Sequence, residues 1–340
     1  MGALAPVDAV PGPAFVDTLL RAWDAGDAVL PVDPRLPRPA VTALLAACRV
    51  GEPVEAGDAL VVATSGTTGE PKGVVLTHDA VRASALATSS RLEVDPARDV
   101  WLSALPLAHV GGLSVVLRSI VTGTPLVWEG AATLVSLVAT QLQRMDVAAF
   151  RRVVLGGAAP PPDLPPNVVT TYGMTETGSG VVYDGVPLDS VEVRAVDAEL
   201  QVRGPMLLRC YRDGTDPKDA DGWLPTGDGG RVDDDGTVRV DGRLGDVINT
   251  GGEKVWPLAV EGVLRRHPTV DDVAVVGRPD PEWGQRVVAF VVGRLTLDEA
   301  RELVKAELPA YCAPKELVVV DALPRTALGK VRRTDLATPP

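Results

Sequence analysis

The sequence predicts an α/β protein: a large N-terminal domain of stacked, mostly parallel sheets with helices, plus a small β section, followed by a small mobile α+β C-terminal domain. Three observations carry this. Short apolar runs alternate with helix-length stretches between residues 58 and 171. From 181 to 240 the text changes to short alternating segments broken by Gly and Asp. After a glycine-bearing junction at Gly242 to Gly245, the remaining chain carries its own set of helix and strand patterns, about the size of an independent domain.

Residues 1–13 are broken by prolines and read as a loose start. Phe15, Leu19, Leu20 and Trp23 recur at helical intervals. An apolar run at 28–37 is stopped by prolines, and 41–47 is again helical. Strand-like runs follow at 59–63, 100–104, 124–128, 153–155 and 168–171, with helical stretches at 77–90, 112–121 and 133–144. Short β-branched runs between helices predict parallel sheets covered on their faces. The alternating segments at 181–240 predict a small antiparallel or barrel-like section. Beyond the junction the pattern predicts a helix (257–267), two strands (271–277, 286–293), a helix (296–307) and a strand (316–320). The expected domains are 1–242 and 243–340.

The chain has 340 residues, enough for more than one domain. Its net charge of −12 argues against a nucleic-acid or anionic-membrane surface, which needs clustered Lys and Arg. Only Lys72, Lys218, Lys254, Lys305, Lys315 and Lys330 are lysines, and three of these stand in Gly-rich motifs. Cys48, Cys210 and Cys312 form no CxxC pair and read as reduced thiols. His78, His109 and His267 are too few and too scattered for a histidine metal cluster. With no targeting pattern and no run of about 18 apolar residues, the expectation is a cytoplasmic protein without membrane insertion.

The strongest local signal is Thr64, Ser65, Gly66, Thr67, Thr68, Gly69, Glu70, Pro71, Lys72 and Gly73, directly after an apolar strand pattern. Glycines let backbone N–H groups approach phosphate oxygens, the hydroxyls add donors, and Lys72 adds charge. The spacing is not that of a Walker A loop, because Pro71 precedes the lysine and Gly73 follows it. A plain Ser/Thr/Gly-rich turn is the simpler alternative for any one such stretch.

Five further segments follow in order: Gly156, Gly157 and Ala158 after a strand; Thr171, Tyr172, Gly173, Met174, Thr175, Glu176 and Thr177; Trp223 to Asp228; Gly242 to Asp246 with Gly251, Gly252, Glu253 and Lys254; and Pro324 to Lys330. Together with the first string, this series resembles the acyl-CoA synthetase, peptide-synthetase adenylation domain and luciferase superfamily over about residues 58–335. The resemblance implies an ATP-dependent enzyme that joins a carboxylic acid to AMP and then passes the acyl group to coenzyme A. It implies ATP contacts from the 64–72 string, from Gly156, Gly157 and Ala158, from Gly173 and Met174, and from Arg243. Tyr172 would stack on adenine, and Asp228 would accept from the ribose hydroxyls. Glu176, beside Thr175, would hold Mg²⁺. Lys330 would neutralise charge during adenylation. Gly245 and Asp246 would form the hinge, and Gly251 to Lys254 a loop facing CoA. The string Leu105 to Gly112 resembles the wall of the acyl tunnel, with His109 at the carboxylate end and Gly112 and Leu113 beside it.

There are departures. The first subdomain of the family looks largely trimmed, and Gly245 stands where the hinge usually has a charged residue. The stretch from Thr171 to Asp189, above all Tyr183 to Asp189, is similar to the o-succinylbenzoate–CoA ligases of menaquinone biosynthesis. That substrate has a second carboxylate needing a cation, for which Arg118 is the candidate. A helix-surface arginine is the alternative. Adenylation of another aryl or aliphatic acid, with CoA or a carrier-protein thiol as acceptor, stays open. So do a non-enzymatic nucleotide-binding relative and a homodimer.

Overall fold

A computed structural model describes residues 2–65, 71–161, 163–325 and 331–337. Its N-terminal part stacks two sheets. The first runs in the order Cys210–Tyr211, Pro71–Thr77, Asp58–Ser65, Ala28–Val32, Gly2–Asp8, Pro53–Val54. Its three central strands are parallel and its flanks antiparallel. The second runs Val186–Pro187, Gly180–Tyr183, Val168–Gly173, Arg152–Gly156, Leu134–Val138, Trp101–Leu102, Leu126–Val127. It is parallel except where Gly180–Tyr183 turns back on Val168–Gly173 and pairs with Val186–Pro187.

The helices His78–Arg91 and Val110–Thr122 pack on one another. The latter buries every residue from Gly112 to Arg118, on all sides rather than along one stripe, as a helix enclosed by protein does. Leu113, Val115, Val116 and Leu117 join Leu60, Leu76, Trp101 and Tyr183 in one core. His78–Arg91 is capped by Thr77, whose hydroxyl accepts from the N–H of Ala80 at 3.1 Å. An antiparallel sheet of Glu192–Val196, Glu199–Arg203, Leu224–Val232 and Val238–Arg243 follows. A second core then begins at Ile248. Its sheet runs Glu253–Val255, Ile248–Thr250, Gly284–Gly293, Val270–Asp280, with Glu316–Val319 parallel to Gly284–Gly293. Helices Pro257–Arg265 and Leu297–Glu307 bury Val260, Leu264, Ala300 and Val304 in that second core.

The α/β reading holds, with four local corrections. Residues 133–144, expected helical, form the strand Leu134–Val138 and only a four-residue helix, Ala139–Leu142. A central strand covered on both faces is apolar nearly throughout, here with Ser136 alone polar, so its periodicity does not separate it from a buried helix. The loose start is instead the strand Gly2–Asp8. Its outer side pairs only at Gly2 and Ala3, so Pro6 lies along an open edge, where a strand tolerates proline. Pro71 to Gly73, read as the end of the glycine-rich string, instead open the strand Pro71–Thr77, antiparallel to Asp58–Ser65. Glu253 and Lys254 likewise belong to a hairpin strand opposite Thr250 and Asn249. Among the described residues no helix is long and apolar enough to cross a membrane.

The second core touches the antiparallel sheet through Trp256. A Cβ on Gly229 would lie 2.0 Å from its ring. Gly229→Ala is expected to destabilise this contact by at least about 1 kcal/mol, because an added methyl must displace a packed ring. Thermal unfolding checks it, and a parental melting curve would mean the ring is not seated there.

Candidate active site

A cavity of about 570 Å³ opens where strands of the second sheet end. Ser136 to Val138, Gly156, and Thr171 with Gly173 reach it from three neighbouring parallel strands. The carboxyl ends of parallel strands are where α/β folds place ligands, because the chain leaves the sheet there and opens a crevice. The start of Val110–Thr122 closes one side with Gly111 and Gly112. Gly112 permits this approach: a Cβ there would lie 2.4 Å from the carbonyl oxygen of Pro106. Gly180 is equally constrained, since its Cβ would lie 1.8 Å from the Thr171 hydroxyl. His109 lines the same side, and its carbonyl accepts the first turns of the helix from Gly112 and Leu113.

The cavity wall includes Thr64, Lys72, Thr175, Glu176, Gly227 and Arg243. Thr64 and Lys72 face each other in register across the hairpin. The Glu176 carboxylate accepts from the Tyr211 hydroxyl at 3.0 Å, and the Lys72 ammonium lies 5.0 Å from the centre of the same ring. Nearby, Asp228 is buried and accepts from the Tyr172 hydroxyl at 2.8 Å, while Arg243 pairs with it at 3.1 Å. Burial first, and the Asp228 carboxylate second, push the Tyr172 phenol well above its ordinary range, so it remains a protonated donor. Arg243 also donates to the carbonyl of Thr226 at 2.9 Å. The N–H of Gly227, whose φ is +70°, donates to Glu199 at 2.8 Å.

The same cavity is lined by Arg118, 3% exposed. Its guanidinium stands 5.3 Å from the centre of the Trp101 ring, one terminal nitrogen reaches the Ser136 hydroxyl at 3.4 Å, and Nε has no partner. Among the described residues no carboxylate pairs with it. Burial accordingly pulls its pKa below the ordinary arginine value.

The structure thus brings Thr64, Lys72, His109, Gly112, Arg118, Gly156, Gly157, Gly173, Met174, Thr175, Glu176 and Arg243 onto one cavity wall. Tyr172, Ala158 and Asp228 are outside that wall. Leu113 is a correction: expected on the acyl side, it is fully buried in the core, because the helix presents Gly112 and Ser114 to the cavity instead. Gly66, Thr67, Thr68, Gly69 and Lys330 lie outside the described residues, as does any account of the Ser65 side chain.

Gly245 sits in a short turn, Leu244–Asp246, where a Cβ would meet nothing within 4 Å. Asp246 pairs with Arg333 at 3.2 Å, and Arg333 also holds the buried Glu261. Gly251 and Gly252 both take positive φ at the hairpin turn, and Gly251 lies under the ring of Trp283, over which the Lys315 ammonium stands at 3.6 Å. Sequence reasoning missed Tyr211, Ser136, Thr171 as a wall residue, and Trp283. Ser136 was hidden by the helical reading of its segment. Tyr211 lies outside the motif strings, with only its aromatic character to mark it.

Two sequence models match: AMP-binding enzyme over residues 49–144 and AMP-binding enzyme C-terminal domain over residues 259–330. A probable 2-succinylbenzoate–CoA ligase of Mycobacterium tuberculosis is 41% identical over 337 residues, covering 86% of this chain and 87% of the relative. This chain belongs to the adenylate-forming, AMP-binding enzyme family. Members of the family with known structures share its architecture. The o-succinylbenzoate CoA synthetase of Bacillus subtilis, in complex with the acyl-adenylate intermediate OSB-AMP, superposes with a TM-score of 0.88 at 26% identity, covering 100% of this chain and 89% of that one. The same enzyme in complex with ATP and magnesium ion gives 0.86 at 26%, covering 99% and 89%.

Proposed function

We propose that this chain is an AMP-forming acid–thiol ligase that activates o-succinylbenzoate with ATP and transfers the acyl group to coenzyme A, a step of menaquinone biosynthesis. The observation that carries the substrate is Arg118. Among the described residues this buried guanidinium has no carboxylate partner, which is costly, and it lines the same cavity as Thr64, Lys72, Glu176 and Arg243. A dicarboxylic acid fits that arrangement, with one carboxylate on Arg118 and the other near His109, facing the phosphate end. The similarity to 2-succinylbenzoate–CoA ligases supports the same reading.

In this reading Lys72 and the 64–69 string hold the phosphates, Gly156, Gly157 and Ala158 flank the adenine, and Tyr172 offers it a ring face. A carboxylate has about four acceptor sites, so the Tyr172 and Arg243 contacts need not keep Asp228 from a ribose hydroxyl. Glu176 suits Mg²⁺. One of its oxygens is held by Tyr211, and no group of three metal-ligating side chains occurs among the described residues. Mg²⁺ typically takes one or two carboxylates and completes its shell with water and substrate phosphates. When bound, it would supply charge neutralisation at the phosphates. Lys330 would neutralise the charge between acyl carboxylate and α-phosphate. The part beyond residue 242 would then rotate, withdrawing Lys330 and presenting Gly251 to Lys254 to CoA. A cytoplasmic site of action belongs to this reading, supported by three buried free thiols.

Pyrophosphate exchange across a panel of acids, with and without CoA, tests the function. Exchange should depend on o-succinylbenzoate, and a thioester should form only with CoA. Preference for a plain aryl or fatty acid would remove the substrate assignment and leave the ligase. For the hinge, Gly245→Pro is expected to halt turnover at one half-reaction while ATP binding persists, since proline locks φ. A proline variant that completes the full cycle at the parental rate would place the pivot elsewhere.

A further inference from the structure

Tyr211 has no part in the nucleotide motifs, yet its side chain touches both Lys72 and Glu176 on the cavity wall. We infer that Tyr211 is a positioning residue, which aims the Glu176 carboxylate at the metal and keeps it from collapsing onto the Lys72 ammonium. This rests on the proposed assignment of Glu176 to Mg²⁺.

The geometry is specific. The Tyr211 hydroxyl donates to Oε1 of Glu176 at 3.0 Å, while Nζ of Lys72 stands 5.0 Å from the ring centre. Lys72 and Glu176 thus contact the same phenol instead of pairing with each other. Lys72 is exposed and Glu176 half-buried, yet opposite charges on one cavity wall still attract, and a direct ion pair would have to be broken before Mg²⁺ and phosphate could use either charge. A neutral donor on one carboxylate oxygen orients the group and leaves its charge for the cation. Oε2 of Glu176 has no partner among the described residues.

The tyrosine is itself held by the chain on both sides. Cys210 and Tyr211 pair antiparallel with Val75 and Val74, two residues from Lys72 on its strand. Just before them, the N–H of Leu208 donates to the carbonyl of Glu176 at 2.8 Å, and that of Arg209 to the carbonyl of Val75 at 2.9 Å. One short segment therefore ties the main chain of Glu176 to the strand carrying Lys72, and its last side chain spaces their charges. The Glu176 turn and the Lys72 strand are about 100 residues apart in sequence, so nothing local could set that spacing.

The test is a Mg²⁺ titration of binding of a non-hydrolysable ATP analogue, followed by calorimetry, on the parent, Tyr211→Phe, Glu176→Gln and the double variant. Tyr211→Phe keeps the ring against Lys72 and removes only the donor. It is expected to raise the Mg²⁺ concentration for half-maximal binding by roughly tenfold, as losing a hydrogen bond to a charged group does, with metal-free analogue binding unchanged. Glu176→Gln should show the same defect, and the double variant should be no worse than Glu176→Gln, because both changes act on one group. Should Tyr211→Phe melt early, the titration is run below its midpoint, where the folded protein still reports its Mg²⁺ dependence. A parental Mg²⁺ dependence in Tyr211→Phe, or an additive double variant, overturns the inference. A parental dependence in Glu176→Gln overturns instead the assignment of Glu176 on which it rests.

Discussion

Lys330→Ala is expected to slow acyl-adenylate formation by roughly 10²–10³ or more, the scale of losing one preorganised donor to a developing charge. The same variant should convert supplied acyl-adenylate and CoA to thioester at close to the parental rate. The reasoning is differential. An ammonium placed between the attacking carboxylate and the α-phosphate stabilises charge that exists only in the first half-reaction. In the second half-reaction the phosphate is the leaving group, and the proposed rotation has withdrawn the lysine. Its frame, Pro324 to Lys330, sets it apart from the chain's other lysines. Separate assays of the two half-reactions decide the matter. Equal damage to both would refute the two-pose mechanism, even if overall turnover fell as expected.

Arg118→Leu is expected to raise the KM for o-succinylbenzoate by roughly tenfold or more, since a charge-assisted contact is worth about 1.5–3 kcal/mol. The KM for ATP should hardly move, because Arg118 contacts Trp101 and Ser136, neither of which belongs to a proposed nucleotide motif. Burial strengthens the case. The guanidinium is 3% exposed, rests on Trp101 and Ser136, and carries an unpartnered Nε. Leucine is smaller and apolar, so the free enzyme should lose little stability, as replacing a buried unpaired charge by an apolar group often does. An aryl-butanoate lacking the ring carboxylate should be used poorly by the parent and comparatively better by the variant. Unchanged discrimination between the two acids would show that another group meets the second carboxylate.

The strings proposed to hold the nucleotide stand out because the chemistry the resemblance assigns them is local. Backbone approach to phosphate requires consecutive glycines and hydroxyls, so the 64–73 string and the Thr171–Thr177 string declare themselves in a few residues. Asp228 and Arg243 were equally visible from their strings, and the structure pairs them at 3.1 Å. Leu113 was misplaced because on a fully enclosed helix, spacing alone does not say which neighbour faces a cavity. The segment 133–144 was misread for a related reason. An apolar run covered on both faces carries no periodic signature, and Ser136 within it was lost with it.

By itself the sequence determined the α/β class, the order of the motifs and the family, and it supplied the charged groups proposed to meet a nucleotide. These follow from short-range requirements: strand and helix periodicity, glycine where backbone must come close, and carboxylate or ammonium where charge must be met. Only the tertiary structure decided which groups share a wall. It buried Arg118 with no carboxylate partner among the described residues, set Tyr172 against Asp228 across 56 residues of chain, and put Tyr211 between Lys72 and Glu176. Those juxtapositions come from parallel strands ending side by side and from an edge strand closing over them. That geometry is long-range, set by how the sheets pack rather than by any neighbouring residue.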